Sequence, residues 1–177
     1  MRTILIMAAL LAVFTCPALA QQPTFRDSLL DRLAGRWVLR GTIEGGQTTH
    51  DVTADWVLAH QYLRIHEVSR EKDARGGAAY EAIVFIGWDE RSSEYACLWL
   101  DSTGGGGLSA PVIGHAKRGG DEIPFVFSIP DGSAFHTTFA YDRATDSWQW
   151  RMDAEQKGEL QPFARVKLVR EARPARR

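Results

Sequence analysis

From Arg36 almost to the C-terminus, apolar residues recur at every second position. They do so in short runs separated by turn residues. The stretch 79–88 shows the pattern: Tyr80, Ala82, Val84, Ile86 and Trp88 alternate with Glu81, Ile83, Phe85 and Gly87. Ten segments read this way, at 36–44, 48–58, 61–70, 79–88, 94–101, 109–117, 122–128, 133–141, 147–154 and 159–169. The breaks between them carry turn chemistry, including Glu44-Gly45-Gly46, the run 104–107, Arg118-Gly119-Gly120-Asp121, Pro130-Asp131-Gly132 and Gln156-Lys157-Gly158. Only the opening stretch 25–34 has helical spacing, with Phe25, Leu29, Leu30 and Leu33 on one side and Gly35 as the stop.

Strands that follow one another so closely pair as antiparallel neighbours. A meander of ten would leave two edges to hide, and closure into a barrel removes both. The expected fold is therefore all-β: an antiparallel up-and-down barrel of about ten strands preceded by a short helix. No segment after Gly35 supplies the crossover helix of a parallel α/β sheet, so Rossmann and triosephosphate-isomerase-type folds are excluded. A barrel of eight to ten strands is wide enough to hold one small ligand. Many strands are apolar on both parities, so the pattern leaves open which set lines the inside. The other set must be covered by the helix, covered by a partner, or exposed.

The first twenty residues belong to a different kind of segment. Arg2 precedes an apolar run from Ile4 to Phe14, Pro17 ends it, and Ala18-Leu19-Ala20 offers small residues to a signal peptidase. The run is about half the length a membrane-spanning helix needs. A signal peptide over 1–20 leaves a barrel domain over 21–170 and a basic tail over 171–177. No later stretch is long and apolar enough to be a transmembrane segment. Thr15 makes a poor lipobox before Cys16. With Cys16 in the leader, Cys97 is the one thiol of the mature chain, and no internal disulfide can form.

Without the leader, 20 basic residues face 22 acidic ones, and because the last eight residues carry +3, the stretch Gln21–Val169 carries −5. That balance argues against a nucleic-acid-binding body. Asn is absent and Arg (17) far exceeds Lys (4), as a high-GC bacterial coding bias would produce. A periplasmic or secreted bacterial protein is expected, monomer or homodimer.

Gly35-Arg36-Trp37, directly after the short helix and opening the first strand, resembles the G-x-W motif of lipocalins and the wider calycin barrels. The resemblance implies that Trp37 closes the barrel floor and that an Arg from the last strand stacks on it. Arg165 and Arg170 are the two candidates, with Arg170 preferred. Leu33-Ala34-Gly35-Arg36-Trp37, Gly87-Trp88-Asp89 and Trp99-Leu100-Asp101-Ser102 together resemble the L-x-G-x-W, G-[YW]-D and W-x-D-S pattern of a family of secreted bacterial proteins known as a domain of unknown function. The likeness runs from about Leu30 to Arg170. It implies a calycin-like barrel, related in shape to lipocalins and fatty-acid-binding proteins, and carries no activity with it. Ten strands depart from the eight of lipocalins. Gly45-Gly46 leaves no room for the helix pair that fatty-acid-binding proteins place between their first two strands.

The candidate site residues follow from a barrel lumen. Trp99, Phe139, Trp148 and Trp150 would supply apolar walls, or simply barrel packing. Arg64 and His66, with His136, would hold a polar head group if their parity points inward; Arg64 and His66 would be surface residues if Leu63 and Ile65 point inward instead. Asp101 is a pocket carboxylate or an acceptor for the glycine-rich turn after it. His115 and His136 lie mid-strand. With His66 they would make a three-histidine zinc arrangement, but no pair has a recognisable metal spacing. A single axial His would suffice for haem. Neither a metal nor any other cofactor is called for. Asp89 reads as turn chemistry, and Cys97 as core. The run 104–107 lacks the Lys-Ser/Thr of a nucleotide loop, and no G-x-S-x-G elbow occurs. The expected function is binding of a small apolar or amphipathic molecule, lipid or fatty-acid-like. The alternatives are an isomerase or hydrolase pairing Asp101 with His115 or His136, and a structural protein with a filled core.

Overall fold

A computed structural model describes residues 25–104 and 107–172. The expected leader and Cys16 lie outside the described residues, as do positions 173–177 of the basic tail. The ten segments of alternating residues form ten strands: β1 Gly35–Ile43, β2 Gly46–Val57, β3 Tyr62–Ser69, β4 Glu81–Asp89, β5 Glu94–Asp101, β6 Ile113–Ala116, β7 Glu122–Ser128, β8 Ala134–Asp142, β9 Ser147–Gln156 and β10 Glu159–Arg170. Each pairs with its sequence neighbours, and β10 returns to β1, closing the barrel. The closing seam is antiparallel and continuous from Trp37↔Arg170 through Leu39↔Leu168 to Ile43↔Ala164. A closed calycin-like shape is compatible with this arrangement.

Two elements are shorter than their sequence pattern. The helix α1 is a single turn, Leu30–Leu33. Asp27 stops it from starting earlier, because its Oδ1 takes the amides of Leu29 (2.8 Å) and Leu30 (2.9 Å) in a side-chain turn. Upstream, Phe25 leaves the helical path and packs among Trp56, Trp88 and Tyr95. Strand β6 begins only at Ile113, because Pro111 sits in a 3-10 turn over Ala110–Val112 and has no N–H to offer a ladder.

Parity is resolved along the whole barrel. Trp37, Leu39, Val52, Leu63, Ile65, Val84, Ile86, Cys97, Phe125, Phe139, Trp148, Trp150, Val166 and Leu168 point inward and are buried. Their alternates face out, and several are apolar: Tyr62, Ile83, Ile113 and Val126 are exposed on the outer wall. Leu29, Leu30 and Leu33 are buried, so α1 plugs one end of the barrel. Each such leucine contributes about 1.5–3 kcal/mol by leaving water.

The plugged end explains the Gly35-Arg36-Trp37 signature. Trp37 donates its indole N–H to the Leu33 carbonyl at 2.7 Å. The Arg170 guanidinium lies 3.9 Å over the Trp37 ring. It also donates to the carbonyls of Ala34 (2.9 Å) and Arg32 (2.8 Å), carbonyls at the end of α1 that lack a helical partner. Gly35 is required by this packing: its φ is +132°, and a Cβ there would stand 2.5 Å from Arg170 Nη1. Of the two candidate arginines, Arg170 fills the floor position. Arg165 instead binds the Met152 carbonyl and Asp153 on the outside.

Candidate functional site

Among the described residues, the opposite end carries no α-helix, only the 3-10 turn over Ala110–Val112. It is ringed by the turn at Glu44-Gly45, the loop 70–80, residues 102–104 and 107–112, the loop 129–133, and the turn at Lys157-Gly158. Several inward side chains near this rim are only partly buried: Ile43, Tyr80, Trp99, Asp101, Phe135 and Phe163. A register shift between Pro162 and Ala164 frees Phe163 from strict alternation, and its ring meets Phe135 edge-on at 5.2 Å. Deeper in, Trp150 stacks on Phe139 at 4.6 Å and meets Trp99 edge-on at 6.4 Å. The mouth of the barrel is thus walled by aromatic rings.

Polar side chains sit against that wall. His50 on β2 and Glu67 on β3 form a buried pair through His50 Nδ1 and Glu67 Oε1, each side chain 3% exposed. His50 Nε2 meets Thr48 Oγ1 at 2.6 Å, so both ring nitrogens are engaged within the protein. The Tyr80 ring stacks on His50 at 5.7 Å. Its hydroxyl accepts from Trp99 Nε1 at 3.1 Å and lies beside Asp101. Burial, reinforced by the charge on Glu67, pushes the Tyr80 phenol well above its usual range. At the rim, Glu71 accepts from Ser69 Oγ (2.8 Å), the Thr49 amide (3.0 Å) and Thr48 Oγ1 (3.1 Å). Those bonds, the Ser69 hydroxyl foremost, hold the Glu71 carboxyl down at about 2.

Three buried polar atoms have no hydrogen-bond partner among the described residues: Glu67 Oε2, Trp150 Nε1 and Trp148 Nε1. An unmet buried acceptor on a carboxylate is expensive, on the order of 1–3 kcal/mol or more. Such atoms are where an incoming molecule gains most.

The structure sorts the expected site residues by parity. Trp99, Asp101, Phe139, Trp148 and Trp150 face inward. Arg64 and His66 lie on the outer face of β3 because Leu63 and Ile65 take the inner one; His115 and His136 lie outside because Gly114 and Ala116 on β6, and Thr137 and Phe139 on β8, face in. Arg64 pairs with Asp55 at 3.1 Å, His66 with Glu81 at 2.6 Å, and His136 approaches Glu155 at 3.8 Å. Asp101 and the two histidines offered as its acid–base partners therefore stand on opposite sides of the wall. Among the described residues, no three His, Cys, Asp or Glu side chains converge on a metal-sized site.

Asp101 also organises its turn, accepting from the Thr103 amide at 2.9 Å and the Thr103 hydroxyl. Asp89 does the same for Arg91 (2.9 Å) and Ser92 (3.1 Å). Cys97 is fully buried, and burial pushes its thiol up, which fits a place in the core.

Sequence reasoning missed His50, Glu67 and Tyr80. A signal for Glu67 was present: it continues the Leu63–Ile65 parity and is an acid at the end of an apolar register. Compared with known proteins, the sequence matches no family model and has no match among curated proteins.

Proposed function

We propose that this chain is a secreted or periplasmic binding barrel of the calycin-like bacterial family its motifs resemble. Its ligand is a small apolar or amphipathic, lipid-like molecule that enters at the end opposite α1. The observation that carries this reading is the composition of that end. Aromatic rings from four strands, with Tyr80 just ahead of β4, surround a few buried polar groups, and two kinds of those groups lack partners among the described residues. That mixture is the usual make-up of a ligand pocket, mostly apolar with a small number of placed polar atoms. An acid–base role is less well supported. The one histidine inside has both nitrogens committed to Glu67 and Thr48, leaving none for a substrate.

The test is native mass spectrometry of the protein recovered from the periplasmic fraction of a bacterial host. The reading expects a mature chain beginning at Gln21 and a bound mass that leaves on denaturation. It also expects Trp fluorescence to respond when a stripped sample meets lipid-like compounds. A sample with no bound mass and no response would mean a barrel filled solid.

A further inference from the structure

At the end opposite α1, two inward carboxylates share a single inward base, His50, which is already committed to Glu67 and Thr48. Glu67 is buried on β3, and Asp101 closes β5 on the same inner parity. Among the described residues, no Lys or Arg is buried. Arg170 lies at the plugged end, Arg165 lies outside on Asp153, and Lys72, Arg75 and Lys157 in the rim loops are exposed. Within this cluster Glu67 Oε2 is a carboxylate oxygen with no donor, on a side chain 3% exposed. Its sister oxygen is already taken by His50. The neighbouring acceptors are partly satisfied, since Asp101 has Thr103 and the Tyr80 hydroxyl has Trp99. The unmet demand is therefore for a hydrogen-bond donor, with positive charge favoured.

We infer that the mouth selects an amphipathic molecule whose polar end donates hydrogen bonds, a primary amine above all, and rejects one headed by a carboxylate. The inference rests on the binding reading above and narrows it. A carboxylate head at that depth would bring a third negative charge beside Glu67 and Asp101, where the one inward base, His50, is already engaged by Glu67 and Thr48. In a site of low dielectric such like-charge contact is strongly unfavourable. An ammonium head supplies the donor that Glu67 Oε2 lacks, in a charge-assisted bond, while its chain lies along Trp99, Phe135 and Phe163.

The experiment compares decylamine with decanoate, probes of equal chain length, by tryptophan fluorescence titration of the mature protein below the micelle concentration of either. Wild-type protein is expected to bind decylamine at least about tenfold more tightly, the factor that one charge-assisted hydrogen bond supplies. In Glu67→Gln and Asp101→Asn the preference is expected to shrink toward parity. Should decanoate bind as tightly as decylamine, the inference falls and the binding reading stands. If neither probe binds, the binding reading falls with it. A preference for the amine that persists unchanged in both variants would belong to the acidic outer surface, and would also overturn the inference. Circular dichroism of the two variants guards against misfolding, and the wild-type comparison decides the matter even if both fail to fold.

Discussion

Replacing His50 with Leu removes the described donor to Glu67 Oε1, while Oε2 already has none. Both side chains of the pair are 3% exposed, so water cannot take over without opening the barrel. Breaking a buried pair from one side costs about 3–5 kcal/mol, because the charge left behind is uncompensated. At roughly 2–4 °C per kcal/mol for a chain of this size, the melting temperature falls by about 6–20 °C. The double variant His50→Leu/Glu67→Met swaps the pair for apolar groups of similar bulk. Such replacements are often neutral or stabilising, so it should unfold within about 1 kcal/mol of wild type. The single losses therefore fail to add, with a coupling of at least about 3 kcal/mol. Urea unfolding followed by tryptophan fluorescence measures all four proteins, with a constant m-value showing that the midpoint shifts reflect stability. A loss below about 1 kcal/mol in His50→Leu would refute the argument, since Glu67 would then be reaching water and the mouth would not be dry at that depth.

Three further perturbations probe other parts of the barrel. Arg170→Ala removes the ring contact with Trp37 and the bonds to Ala34 and Arg32. It should cost about 1–3 kcal/mol in thermal unfolding, and Lys at this position should not restore it, lacking the planar fork. Burial and the bond to Asp27 push the Tyr95 phenol up to about 12 from its ordinary 10.0. The folded state thus favours the protonated phenol, so stability is intact below pH 10 and is lost as the pH climbs toward 12; in a spectrophotometric titration this phenolate should appear only with unfolding. Glu71 is shifted the other way, from 4.5 to about 2, so it stabilises the fold above pH 4.5 and that contribution disappears as the pH falls toward 2. Ser69→Ala should accordingly move the acid-unfolding midpoint to higher pH, as circular dichroism would record.

The strand count and order were legible because turn chemistry and period-two spacing agree along the chain. Gly35-Arg36-Trp37 and Arg170 could be paired from the motif alone, and the geometry adds why the glycine is needed. Parity was not legible on β3, where Tyr62, Arg64 and His66 compete with Leu63 and Ile65. Both sets are half apolar by composition, and the outer wall of this barrel tolerates exposed Tyr62 and Ile83. The polar cluster stayed hidden for a related reason. Its members come from β2, β3, the strand end at Tyr80 and β5, and only closure of the sheet brings them together. His50 gives no local sign of its partner, since Glu67 is seventeen residues away.

The indole N–H signals of the six tryptophans give the most direct test of where the ligand enters. In a nitrogen–proton correlation spectrum, assigned by single Trp→Phe variants, decylamine should move the signals of Trp99 at the mouth and of Trp150 packed beneath it. Trp37, Trp56 and Trp88, gathered at the plugged end around α1 and Phe25, should stay in place. Shifts confined to the plugged-end set, or a spectrum unchanged at saturating probe, would contradict the account.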